Sequence, residues 1–211
     1  MTKFQNKYRV ESHRKPNWDY SSGAYYFITI CCQHQKHYFG KIENHKMILS
    51  DFGKIVEKEW HESFKLRKEL FLDEFILMPN HLHAIILIDP LQTHGRAFLS
   101  DDEKILRDTE THGCASLHHD DPVQTHGRAS LPFTRKPKSI SSFISGFKSA
   151  TTNKIDDFID DLNLPIKKFN RNNKFWQSNY YDHIIQNENA YINIKNYIIN
   201  NPAKWEEDKF H

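Results

Sequence analysis

The chain has 211 residues, 38% of them hydrophobic and 13% aromatic, enough for one good core and a single domain spanning 1–211. A formal net charge of +2 decides nothing about nucleic acid, while the absence of any apolar run near the ~20 residues that span a bilayer argues against a membrane partner. MTKFQNKYRV has no apolar signal core, and Cys31, Cys32 and Cys114 form no CxxC pair; both point to a reducing, cytoplasmic setting without a cysteine zinc site.

After a polar arm, residues 25–32 (YYFITICC) are aromatic and β-branched behind Ser21-Ser22-Gly23, which predicts a strand. From residue 50 the period changes. Phe52, Ile55, Val56, Trp60 and Phe64 recur at helical spacing behind a Ser50/Asp51 cap, so residues 50–70 are expected as an amphipathic helix. FILMPNHLHAIILID (75–89) then reads as two adjacent strands, roughly 71–78 and 81–88, joined by a tight turn at Pro79-Asn80. Strand side chains alternate faces, so His81 and His83 project from one side together and offer a bidentate seat for a metal ion.

The pattern breaks over about 91–135. THGRAFL (93–99), THGCASL (111–117) and THGRASL (125–131) are three copies of one heptapeptide between polar spacers. Such a stretch is expected to be a loosely ordered, low-complexity insert without a metal role, despite its histidines. It holds four Lys/Arg against seven Asp/Glu within 91–132, which leaves 25 basic and 20 acidic residues in the remaining chain. The basic residues cluster. Arg135, Lys136 and Lys138 form one group; Lys167, Lys168, Arg171 and Lys174 form a second, just ahead of Phe175, Trp176, Tyr180 and Tyr181. Cations beside aromatic rings suit a single-stranded nucleic acid, phosphates on the former and stacked bases on the latter; the alternative is a solvated charged surface.

Residues 139–158 carry the helical stripe Ile140, Phe143, Ile144, Phe147, Ala150 and Ile155, with Lys148 on the opposite side. Residues 174–185 alternate as a strand, and 188–201 form a last helix that Pro202 is expected to end. The order β-α-β-β-α-β, followed by one more helix, predicts an α+β fold: a ferredoxin-like antiparallel sheet with two helices on one face and the other face free for a site. Within the last helix Tyr197 and Asn201 lie four apart, hence on one side. A tyrosine hydroxyl is a possible covalent nucleophile, and an Asn carbonyl is a hard oxygen donor suited to Mg²⁺ or Mn²⁺. The alternative places Tyr197 in a core stripe with Ala190, Ile194 and Ile198.

MPNHLH, followed at a distance by WQSNYYDHII and YIINNP, resembles the single-tyrosine transposases with a His-hydrophobic-His motif, specifically the REP-associated tyrosine transposases. The resemblance runs from about Tyr8 to Asp208 outside the insert. It implies that His81 and His83 bind a divalent cation, Mg²⁺ or Mn²⁺, that Asn201 completes the shell, and that Tyr197, on the C-terminal helix, is the catalytic nucleophile. It also implies nicking and rejoining of single-stranded or hairpin DNA through a 5′-phosphotyrosine, by a nucleoid-associated monomer or homodimer. His183 matches a recurrent family position and joins Arg135, Lys136, Lys138, Lys148, Lys168, Arg171, Lys174, Trp176 and Tyr181 as expected DNA contacts. Tyr180, Tyr181 and Tyr191 are rival nucleophiles by residue type. A non-cleaving binder of repeat hairpins and a zinc hydrolase are the other readings; the latter lacks an obvious third His, Cys or carboxylate near the pair.

Overall fold

Alternation along the central strands decides the architecture. A computed structural model describes residues 15–89 and 138–210, together with the backbone of two short paired strands, β1 (Lys3–Phe4) and β2 (Lys7–Tyr8). The main sheet joins β3 (Ala24–Cys31), β6 (Leu70–Leu77), β7 (His81–Ile88) and β8 (Tyr181–Ile185) in the spatial order β6-β7-β3-β8, every neighbouring pair antiparallel. This is the expected ferredoxin-like α+β arrangement. On one face Tyr26, Ile28 and Ile30 of β3 stand opposite Ile86, Ala84 and Leu82 of β7. They bury against α1 (Asp51–Lys65) and α2 (Ile140–Asp161), whose Val56, Trp60, Phe143, Ile144 and Phe147 complete the core. Trp60 sits at its centre, stacked on Phe75 and edge-on to Phe143 and Phe147.

The cap expected at Ser50 forms, and Ser139 supplies a second that the sequence did not single out. The Ser50 side chain accepts from Gly53 N–H, and the Ser139 side chain accepts from Ser142 N–H. A bulge between Leu72 and Glu74 explains how β6 keeps its apolar side inward: Leu70 and Leu72 face the helices before it, Phe75 and Leu77 after it. Asp73 and Glu74 are thereby aimed at the other face.

Three expectations change. A hairpin of β4 (Gly40–Glu43) and β5 (Lys46–Leu49) lies where no element was predicted, because four-residue strands are too short to show a period. Its turn residues Asn44 and His45 both take positive φ, and Gly40 has φ +143° with Ile48 O 2.0 Å from where a Cβ would stand, so only glycine fits. The strand predicted over 174–185 shrinks to β8. Phe175 and Trp176 turn into the core beside Phe39, and Trp176 touches the sheet through a single bridge to Cys32. Finally, α3 (Glu188–Asn200) ends just ahead of Pro202 as expected, but an unpredicted 3₁₀ helix, Asn201–Glu207, follows it directly. Proline lacks the N–H that a first turn leaves unused anyway, so it is tolerated there. No helix among the described residues is long and apolar enough to cross a membrane. The repeat copies, Arg135 and Lys136 lie outside the described residues.

Candidate metal centre and nucleophile

The second face of the sheet carries the site. His81 and His83 stand there in register with Cys31 and Thr29, both buried, with α3 laid across them. Their Nε2 atoms are 3.0 Å apart. Each ring is held from behind. Asn80 donates its amide to Gln35 O and Phe210 O, so its Oδ1 faces His81 Nδ1 at 2.8 Å and must accept from it. His81 Nε2 is therefore an unprotonated lone pair. The buried Thr29 hydroxyl lies 2.8 Å from His83 Nδ1 and can donate or accept there. When it donates, the hydrogen of His83 sits between the two Nε2 atoms. When it accepts, that hydrogen moves to Nδ1 and two lone pairs converge on one point, which is what a cation requires.

The helix delivers the remaining groups. Tyr197 Oη is 3.1 Å from His83 Nε2 and donates to Asp208 Oδ2 at 2.9 Å. Asn201 Nδ2 donates to the same oxygen at 2.7 Å, and Asp208 Oδ1 accepts from Phe210 N–H at 2.7 Å. His81, His83 and Asp208 bring one ligand atom each within 4.8 Å of one another. Asn201 Oδ1 is buried without a hydrogen-bond partner. Two imidazole nitrogens and a carboxylate fit a divalent cation, and Asn201, hydrogen-bonded to that carboxylate, has a buried amide oxygen left without a partner.

Burial sets the electrostatics. It pushes His81 down to about 4 and His83 well below the usual imidazole range, so both rings are neutral ligands near pH 7. It raises the Tyr197 phenol above its ordinary value, with the Asp208 hydrogen bond adding to the rise. Burial alone would raise the Asp208 carboxyl; bonds from Phe210 N–H, Asn201 and Tyr197 outweigh it and hold the group below the usual carboxylate value.

Tyr197 is 40% exposed, which removes the core-stripe alternative: its ring is reachable while its hydroxyl points inward. Of the rival tyrosines, Tyr180 is buried against Ser141 Oγ, and Tyr181 faces outward from β8. Tyr191 donates to Asp73 Oδ2 at 2.8 Å, and Lys195 approaches Asp73 and Glu74, so these residues clamp α3 onto the sheet edge instead.

The expected DNA contacts divide. Tyr181 and His183 are exposed on the histidine face, opposite Thr29 and Phe27 of β3. Arg171 and Lys174 line a polar cleft of about 160 Å³ with His34 and Lys36, and Lys138 is exposed ahead of α2. Trp176 is only 5% exposed in the core and is not free to stack a base. Lys148 donates to Gln177 O and Asn179 O, and Lys168 pairs with Asp160. Asp208, Thr29 and Asn80 were missed as site residues. A carboxylate eleven residues past Tyr197, beyond a proline, shares no period with it and offered no local signal.

No protein-family profile matches the chain. An uncharacterised protein of Haemophilus influenzae is 33% identical to it over 203 residues, 95% of this chain and 92% of that one. Among solved structures, a REP-associated tyrosine transposase bound to a REP hairpin is similar at a TM-score of 0.47 and 14% identity, over 99% of this chain and 77% of that one. A candidate transposase of Deinococcus radiodurans is similar at a TM-score of 0.38 and 11% identity, over 89% and 95% respectively.

Proposed function

We propose that this chain, which belongs to one family with the Haemophilus influenzae protein, is a DNA strand transferase that cuts and rejoins single-stranded or hairpin DNA through Tyr197. The observation that carries the reading is the 3.1 Å approach of Tyr197 Oη to His83 Nε2, a phenol hydroxyl set beside a paired-imidazole seat. His81, His83 and a carboxylate oxygen of Asp208 would hold Mn²⁺ or Mg²⁺, with Asn201 Oδ1 as a further donor. Such a cation, when bound, supplies Lewis-acid charge to the oxygens of the phosphate.

The chain does the positioning. Asp208 fixes the Tyr197 hydroxyl, and the clamp of Tyr191 and Lys195 on Asp73 holds the helix that carries it. Tyr197 Oη attacks phosphorus and the bond to the neighbouring 3′-oxygen breaks, giving a 5′-phosphotyrosine and a 3′-hydroxyl. The phenol proton leaves along the hydrogen bond to Asp208 Oδ2, which passes it on to the departing 3′-oxygen. Attack by another 3′-hydroxyl reverses the step and rejoins strands without an external energy source. Tyr181, His183, Arg171, Lys174 and Lys138 supply the contacts to a DNA strand met in the cytoplasm, and affinity then falls with salt at a log–log slope of about −0.7 per phosphate contacted.

The test is incubation with Mn²⁺ and labelled hairpin oligonucleotides, beside Tyr197→Phe. A denaturation-resistant protein–DNA adduct that the variant lacks is expected. An adduct that survives in the variant assigns the wrong tyrosine, and binding without any adduct leaves a non-cleaving hairpin binder.

A further inference from the structure

Beside the nucleophile, the outer side of α3 opens into a cavity of about 430 Å³, within the ~300–1,000 Å³ common for small-ligand sites. Asn193, Asn196 and Asn200 line it at three- and four-residue spacing, a ladder of carboxamides up one side of the helix with Tyr197 among them. Asn200 donates its amide to Asn196 O at 2.7 Å, while the side chains of Asn193 and Asn196 make no hydrogen bond among the described residues. Across the cavity stand Lys204 and Glu207, of opposite charge, and Asp208 adds a second carboxylate. Lys204 and Glu207 offset each other, so away from Tyr197 the cavity has no net positive charge to hold a backbone phosphate.

Its chemistry suits a neutral, planar, polar-edged group. A carboxamide offers a donor beside an acceptor and pairs bidentately with adenine, and a carboxylate accepts from an exocyclic amine. Because Tyr197 belongs to the same lining, a phosphate at its hydroxyl brings the adjoining nucleosides within reach of the asparagines. We infer that this cavity receives one of the two nucleobases flanking the phosphate attacked by Tyr197, and that Asn193 and Asn196 set the base preference of the cut. The inference rests on the strand-transfer reading above.

Adduct formation is compared on single-stranded oligonucleotides bearing each of the four bases on either side of the mapped cut, for wild type, Asn193→Ala and Asn196→Ala. Both asparagines are exposed, so folding is not at stake. Wild type is expected to favour one base at one flank by about tenfold, and the variants to flatten that preference to within about twofold. Asn196→Asp, which keeps an acceptor and loses the donor, shifts the preference toward amino-bearing bases. A wild type indifferent at both flanks, or a preference unmoved in both alanine variants, overturns the inference. If wild type forms no adduct on any oligonucleotide, the strand-transfer reading fails by itself. The same oligonucleotides are then compared by fluorescence anisotropy, where flattening by the variants supports the cavity and its absence overturns it.

Discussion

Acid should unfold this protein through its histidine pair. His81 is fully buried, and burial lowers its imidazole from 6.5 in the open chain to about 4 in the fold. The unfolded state therefore binds the proton that the folded state refuses. Stability from this group is complete above pH 6.5, declines as pH falls toward 4, and changes no further below that. At about 1.4 kcal/mol per pH unit the loss reaches about 3 kcal/mol for His81, a large part of the ~5–15 kcal/mol that holds a domain together. His83 moves in the same direction for the same reason.

Carboxylates also lose stability in acid, so the measurement is a difference. Urea denaturation in EDTA at pH 7.5, 6.5, 5.5 and 4.5 is compared between wild type and His81→Asn, whose side chain cannot be protonated in this range. The stability gap between the two should shrink by about 2.5 kcal/mol from pH 7.5 to 4.5. Added Mn²⁺ should shift the wild-type decline to lower pH, because metal and proton compete for the same lone pairs. Parallel pH profiles for the two proteins would refute the reasoning, since they would mean that His81 is not held neutral by the fold.

Asp208→Asn is expected to weaken Mn²⁺ binding at least about tenfold by titration calorimetry; an unchanged affinity would assign the oxygen donor to Asn201 alone. Trp60→Ala removes the ring that Phe75, Phe143 and Phe147 enclose and should cost about 3–5 kcal/mol in urea unfolding, a loss under 1 kcal/mol contradicting its central place. Burial pushes the Cys31 thiol up to about 12 and holds Cys32 well above its ordinary value, so in a Cys114→Ser background neither should react with a disulfide reagent at pH 8 until denaturant is added.

Much of this was written in local patterns. Alternation along YYFITICC and HLHAIILI, the helical stripes behind Ser50 and Ser139, and the His81–His83 spacing each follow from the geometry of one strand or one helix, which the chain determines within a few residues. The pairing of Tyr197 with the histidines was legible only through motif resemblance, because 114 residues separate Tyr197 from His83. Where local pattern is silent, tertiary packing decided. Trp176 looked like a stacking platform beside basic residues, but the gain from burying a large ring against Phe39 and Phe147 drew it inward. Asp208 reaches the site because a 3₁₀ turn after Pro202 folds the chain back over His81, and the return is fixed by Asn80 holding Phe210 O and by Trp205 packing near the imidazoles. A contact made by the return of a chain depends on everything the chain packs against on the way, and for that reason no window of sequence contains it.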